Sequence, residues 1–411
     1  EGEALVQDSH FALMLGPGRP SGVLGAAWDS YGPLRTWIQE QGIPSGEIMG
    51  AAVFTTGDPR ATIRTLRDAV QDAGAPARGD LVECQQGITS PCDDGLSGDL
   101  HVRGCFAPPA GTHELHSIVE ISDFQQGQAP YLDQGGAVNT SSDGSQPVVG
   151  VCTSIVVPDA DAPQEGWSAI VYAHDTGENF RSHVESLSSV FATGAMSQER
   201  FVIIGWEQLH HGARAGGVTV DPRILMDNYA NPAAALGNWQ QAASEVFSMV
   251  RFAGALDIDA QQSPTGAAIK INPEKIYFVG HGQGAVAGAL ALPYAPEVKA
   301  AIVSSPAAGR AIDWRLKVGP VDIAAGVRTT LNEGDVGSGH PVVNMLQGYF
   351  DPVDPVNYAE FLGARQIQGV TYPRDILHAW SVEDPQVLSQ TQEAFANAAR
   401  TELVGPVYTP R

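Results

Sequence analysis

The chain has 411 residues, with 46 acidic against 23 basic side chains and a formal net charge of −23. Only four lysines occur, Lys270, Lys275, Lys299 and Lys317, and no basic run exists, so a surface for nucleic-acid phosphates is excluded. No stretch approaches the roughly 20 apolar residues of a membrane helix, which excludes a helical transmembrane segment.

The length suits two or three domains, or one large α/β domain with additions, at roughly 100–200 residues each. The chain opens at Glu1, which fits a processed or truncated chain better than an intact translation product. Residues 1–83 read as a small α/β unit. Tyr31 to Gln41 is predicted helical, and the apolar run Ile48 to Thr55 is predicted as a strand. Pro59 to Asp72 reads as an amphipathic helix, with Ile63, Leu66 and Val70 at helical spacing.

Residues 84–112 are rich in Gly, Pro and Asp and read as a stapled boundary loop holding Cys84, Cys92 and Cys105; Cys152 follows later. An even cysteine count in this setting favours disulfides and an oxidising compartment, with buried free thiols as the alternative. Four cysteines allow three pairings, and the paired short spacings of a zinc site are missing.

Over 113–411 the pattern becomes one of strands alternating with long helices. Strands are expected at Val148 to Val157, Trp167 to Ala173, Phe201 to Trp206, Lys275 to Gly280, Val298 to Ser304 and Ile376 to Ser381. Helices are expected at Arg181 to Thr193, Pro232 to Leu256, Ala285 to Leu292 and Pro385 to Ala399. Such alternation predicts an α/β fold, a mostly parallel sheet flanked by helices. Residues 305–368 break the rhythm and read as a lid-like insertion over the C-terminal edge of the sheet.

The most informative stretch is Ile276-Tyr-Phe-Val-Gly-His-Gly-Gln-Gly-Ala285, a strand, a sharp turn and a small-residue helix. It resembles the nucleophile elbow Gly-x-Ser-x-Gly of the α/β-hydrolase superfamily. Gly280 and Gly284 match the flanking glycines and His281 the first variable position. Gly282 stands where that family carries its serine. Glycine keeps the turn, which needs a positive φ, but brings no hydroxyl. Gln283 follows, at the position whose backbone N–H the family uses in its oxyanion hole.

A second stretch, Ala173-His-Asp-Thr-Gly177, resembles the His-Gly-Thr-Gly-Gly turn that completes that hole in bacterial esterases and lipases. His174, Thr176 and Gly177 fit; Asp175 and Glu178 replace glycines, and a carboxylate at Asp175 opposes developing negative charge unless it points away. A third, Asp375-Ile-Leu-His-Ala-Trp-Ser-Val-Glu-Asp384, resembles the strand and loop that end in the triad acid, which places Asp384 in that role. No histidine follows Asp384. The family's final strand and His-bearing loop are therefore absent or lie beyond Arg411. His378, served by Asp351 or Asp354, is the one substitute base, and its strand position also suits a core histidine.

Softer matches to secreted bacterial hydrolases run through roughly 50–411. They include Phe124 to Tyr131, Gly205 to Gly217 with His210-His211, and Phe350 to Tyr358. The family implies carboxyl-ester hydrolysis by a Ser-His-Asp triad without a cofactor. Other side-chain groups read as structural. His113/His116 and His210/His211 lack a metal motif, and the spacing of Asp93, Asp94 and Asp99 misses a calcium loop.

Two readings follow. In the first, the chain is a secreted, periplasmic or cell-surface bacterial homologue without catalysis, a binding or interaction protein. Its pocket would take a small acyl-ester or lipid-like ligand, and its partner would be another protein or a missing C-terminal segment. In the second, it is an ester hydrolase seen as an inactive variant or a truncated chain. Neither involves a cofactor, a metal or nucleic acid.

Overall fold

A computed structural model describes residues 6–53, 57–93, 103–140, 146–194, 199–218, 220–319, 321–365, 367, 374–402 and 404. The chain divides into two compact units, 1–58 and 59–411. In the first, helices α1 (Ser9–Leu15), α2 (Val23–Ser30) and α3 (Gly32–Gln41) are the regular α-helical elements. Asp8 caps α1 by accepting the His10 and Phe11 N–H groups. The expected strand from Ile48 is not formed: 48–53 is irregular, and its backbone meets no neighbouring strand among the described residues. Residues 54–56, the end of that run, lie outside the described residues. Apolar composition alone did not supply a ladder partner.

The second unit begins with α4 (Ala61–Asp72), which buries Ile63, Leu66 and Val70 as their spacing predicts. That helix was grouped by sequence with the N-terminal segment; the structure puts it with 59–411. Strands β1 (Ala77–Arg78), β2 (Val82–Glu83), β3 (Thr112–Ser122), β4 (Val148–Pro158) and β5 (Trp167–Ala173) follow. Then come α5 (Ser182–Ser186), β6 (Phe201–Trp206), α6 (Pro222–Met226), α7 (Pro232–Ala255), β7 (Asp257–Ile258) and β8 (Ile269–His281). The chain continues through α8 (Gln283–Ala291), β9 (Val298–Ser304), α9 (Arg310–Leu316), α10 (Ile323–Leu331), α11 (Pro341–Phe350), β10 (Asp375–Ala379) and α12 (Ser389–Ala399).

These strands form one ten-stranded sheet in the order β1-β3-β4-β6-β5-β8-β9-β10, with β2 on β3 and β7 on β8. Along that order from β6 to β10 the pairs are parallel, whereas β3, β4 and β6 pair antiparallel and the short β7 pairs antiparallel with β8. The sheet is thus mixed, with the parallel half where βα alternation predicted it. The long antiparallel β3 was not foreseen, because Thr112–Ser122 mixes buried charged and apolar residues.

Helix α7, capped by Asn231 and started by Pro232, is buried along nearly its whole length. It packs with α8 and α4 over the sheet around a continuous apolar core. The helix expected over Arg181 to Thr193 is the short α5 followed by a wider turn at Ser188–Ala192. No helix among the described residues is long and apolar enough to cross a membrane.

The topology places one crevice. After β5 the chain adds β6 on one side, then returns to lay β8 on the other side of β5. In such open sheets the carboxyl ends of the strands flanking the reversal leave a gap suited to a ligand. The loops leaving β5 and β8 meet in that gap.

Candidate ligand cleft at an elbow without a nucleophile

Strand β8 ends at His281, Gly282 adopts φ 47° and ψ −108°, and α8 starts at Gln283. A side chain at 282 would be strained by that positive φ. The turn is held by the Gly282 N–H donating to the Ser304 carbonyl at 2.9 Å. Its tightness excludes side chains nearby: a Cβ on Gly280 would lie 2.6 Å from the Gly284 carbonyl oxygen, and one on Gly284 would strike the Ala173 backbone. The elbow is formed, and position 282 carries no group able to attack a carbonyl.

The loop after β5 brings Asp175 to the same point. Its Oδ1 accepts the Thr176 N–H at 2.7 Å and the Gln283 N–H at 3.0 Å. A Cβ built on Gly282 would fall on Oδ1 and Cγ of that carboxylate, with Oδ2 at 2.8 Å. Asp175 therefore points in, not away. It fills the space of a residue-282 side chain and occupies the Thr176 and Gln283 N–H groups. The Gly177 N–H is also engaged, donating to His211 Nε2 at 2.8 Å, and the Thr176 hydroxyl donates to Gln283 Oε1 at 3.1 Å. His281 Nδ1 bonds the Ser304 hydroxyl at 3.0 Å, while its Nε2 lies 4.0 Å from Asp175 Oδ2.

His174 and His378 are held in structural roles. His174 is buried; its Nδ1–H donates to the Asp175 carbonyl at 2.7 Å, and its Nε2 accepts the Gln208 N–H at 3.1 Å. Burial, and then the neighbouring His211, hold it well below the usual histidine range. His378 lies on β10 with its ring against Phe395 and Trp380, at 5.0 and 5.2 Å. Burial lowers its pKa to about 4, and its Nε2 is buried without a hydrogen-bond partner. The carboxylates considered for it are engaged elsewhere: Asp354 accepts the Gly309 and Arg310 N–H groups, and Asp351 accepts from Gln347.

Asp384, the expected triad acid, stands at the cleft. Its Oδ1 accepts the Gln386 and Val387 N–H groups and its Oδ2 accepts the Ser305 hydroxyl at 2.9 Å. It serves there as a loop cap.

Among the described residues a closely bonded, buried Ser–His–carboxylate chain lies at a different place. The Ser90 hydroxyl and His116 Nδ1 are 2.7 Å apart, and His116 Nε2 is 2.7 Å from Glu114 Oε1. All three residues are buried, and Glu114 also takes two bonds from Arg181 and one from Ser154. Burial alone would raise the Glu114 pKa, but its Arg181 and His116 bonds outweigh that and bring it to about 2. A fully engaged carboxylate and a buried serine mark a core network rather than a reaction centre.

Cys84 and Cys105 form a disulfide beside this network. Cys92 and Cys152, the remaining candidates, are free thiols. The two cystine sulfurs and His116 converge, but a disulfide leaves no thiolate for a metal. His113 bonds Glu83 at 3.0 Å. Of the weighed calcium-type aspartates, Asp94 and Asp99 lie outside the described residues.

Above the elbow lies a cleft of about 110 Å³ that opens to solvent. Its floor comes from the strand-end loops: Asp175, Thr176, Gly282, Gln283, Ser305 and Ala307. Its roof includes Trp239 of α7, Arg310, Asp313 and Lys317 of the α9 region, and Asp227 and Tyr229 from the loop after α6. Arg310 Nη1 donates to Asp227 at 2.9 Å, its guanidinium lies 4.7 Å over Trp239, and Trp239 Nε1 donates to the same Asp227 oxygen at 2.9 Å. Sequence reasoning missed these roof residues: Arg310, Asp313 and Lys317 offer only charge within a segment read as a lid, and Asp227, Tyr229 and Trp239 offer no local pattern.

The sequence matches no protein-family model and no curated protein. The fold is similar to that of acetyl xylan esterase 1 from Thermoanaerobacterium sp. JW/SL YS485, at 12% identity over 83% of each chain with a TM-score of 0.50. It also matches the acetyl xylan esterase of Paenibacillus sp. R4 at 11% identity and a TM-score of 0.48, over 86% of this chain and 97% of that one. A dienelactone hydrolase from Klebsiella pneumoniae matches at 13% identity and a TM-score of 0.34, over 61% and 75% of the chains. The architecture of the second unit is that of an α/β-hydrolase fold.

Proposed function

We propose that this chain is a non-catalytic member of the α/β-hydrolase fold that binds a small molecule in the cleft above Gly282. The observation that carries the reading is the Asp175 carboxylate. It lies where a nucleophile's side chain would start, and it accepts the Gln283 N–H that a hydrolase would aim at its substrate. Removal of a nucleophile costs several powers of ten in rate, and blocking the hole removes much of what remains. What persists is a solvent-open cleft lined by apolar side chains together with charged and polar groups, a make-up suited to a ligand site.

The Cys84–Cys105 disulfide supports residence in an oxidising compartment, either secreted or at the bacterial surface. A thermal-shift screen of small organic molecules tests the binding role. Hits should lose their effect in the variant Ala307→Trp, which plugs the cleft floor. Hits that survive the plug would place binding elsewhere and contradict the reading.

A further inference from the structure

The roof of the cleft holds charged groups whose bonding capacity is unused. Arg310 is 8% exposed. One nitrogen, Nη1, pairs with Asp227, while Nε and Nη2 are buried without a hydrogen-bond partner. Those two nitrogens form the parallel edge of the guanidinium fork, the edge that matches the two oxygens of a carboxylate. Leaving a buried cationic donor unpaired is costly, so such an edge is a built feature in need of an occupant. Asp313, 6% exposed on the same helix, lines the same cleft with Oδ1 buried and unpartnered. Burial raises its pKa, against the opposing pull of Lys317 and Arg310. Lys317 adds an ammonium at the cleft with no ion pair within 4 Å among the described residues.

Resting on the reading of the cleft as a ligand site, we infer that its ligand is a small organic monocarboxylate. The carboxylate seats on the Nε/Nη2 edge of Arg310, and the apolar body lies against Met226, Trp239, Val286 and Ile323. The chemistry excludes a phosphate dianion. One bidentate edge fits a planar acid, and Asp227 and Asp175 on the same walls oppose a second negative charge. A neutral ester offers that edge one carbonyl acceptor and no charge, where a carboxylate offers two equivalent charged oxygens.

Titration calorimetry with hexanoate, benzoate and 3-phenylpropionate tests this, each beside its amide and methyl ester. At least one acid should bind saturably, about tenfold or more tighter than its neutral analogues, as bonds to a charged group require. Arg310→Lys keeps the charge and loses the fork, and Arg310→Met removes both; each should weaken the acid by about tenfold or more. Circular dichroism verifies that the variants are folded. Should Arg310→Met fail to fold, Arg310→Lys and the acid-to-amide ratio still decide. Amides and esters that bind as well as acids, or acid binding unchanged in Arg310→Lys, would overturn the inference while leaving the cleft a ligand site. Acid binding that survives Ala307→Trp would overturn both. No saturable binding by any of the three acids would overturn the monocarboxylate assignment, leaving the cleft to the wider screen.

Discussion

Serine restored at position 282 should not sit quietly in this protein, because the space for its Cβ is held by Asp175. Gly282→Ser must push the Asp175 carboxylate off the Thr176 and Gln283 N–H groups. Each charge-assisted bond is worth roughly 1.5–3 kcal/mol, and part is regained from water once the carboxylate is displaced into the cleft. A net loss of about 2–3 kcal/mol is expected from the displacement, to which a non-glycine residue at positive φ adds roughly 1–2 kcal/mol. In an Asp175→Gly background only the backbone strain remains. A double-mutant cycle by urea denaturation should therefore give a coupling energy of about 2–3 kcal/mol between positions 175 and 282, well outside the ~0.5 kcal/mol scatter of independent sites. Equal costs for Gly282→Ser in both backgrounds would refute the placement of Asp175 in the elbow.

Acid should destabilise the second unit earlier than carboxylates alone would require. Burial lowers His183 to about 4 and His210 to about 3, from an ordinary 6.5. Their neutral forms are favoured in the folded state, so this contribution is complete above pH 6.5 and is lost as pH falls, by roughly 2–3 kcal/mol per histidine by pH 4.5. Glu114, held near 2 against 4.5, contributes above pH 4.5 and is lost on further descent towards 2. Urea midpoints that stay flat from pH 7.5 to 4.5 would contradict the burial of the histidines. Peptide mapping without reduction should recover Cys84 linked to Cys105; a peptide linking Cys84 to Cys92 or Cys152 would contradict the structure.

The elbow was legible because three constraints coincide in ten residues: an apolar strand, glycines where backbones touch, and a small-residue helix. The parallel half of the sheet was legible for a similar local reason, since each strand is a short apolar run between turn signals. The antiparallel β3 was not, because its buried polar residues Glu114, His116 and Ser117 blur a two-residue period. Ile48 to Thr55 misled in the opposite sense, being apolar without a ladder partner. At the site, sequence identified Asp175 as a departure but left its direction open. That direction is decided by a bond to Gln283, 108 residues away, which no local pattern encodes. The Arg310–Asp227–Trp239 group likewise joins α9 to Asp227, 83 positions upstream, and to Trp239 of α7.

The central claim is that a carboxylate has replaced the reacting machinery at the elbow. Steady-state turnover of p-nitrophenyl esters from acetate to dodecanoate, with and without a fluorophosphonate inhibitor, tests it most directly. The account predicts a rate equal to the protein-free blank and no covalent labelling. Saturable turnover abolished by the inhibitor would contradict it.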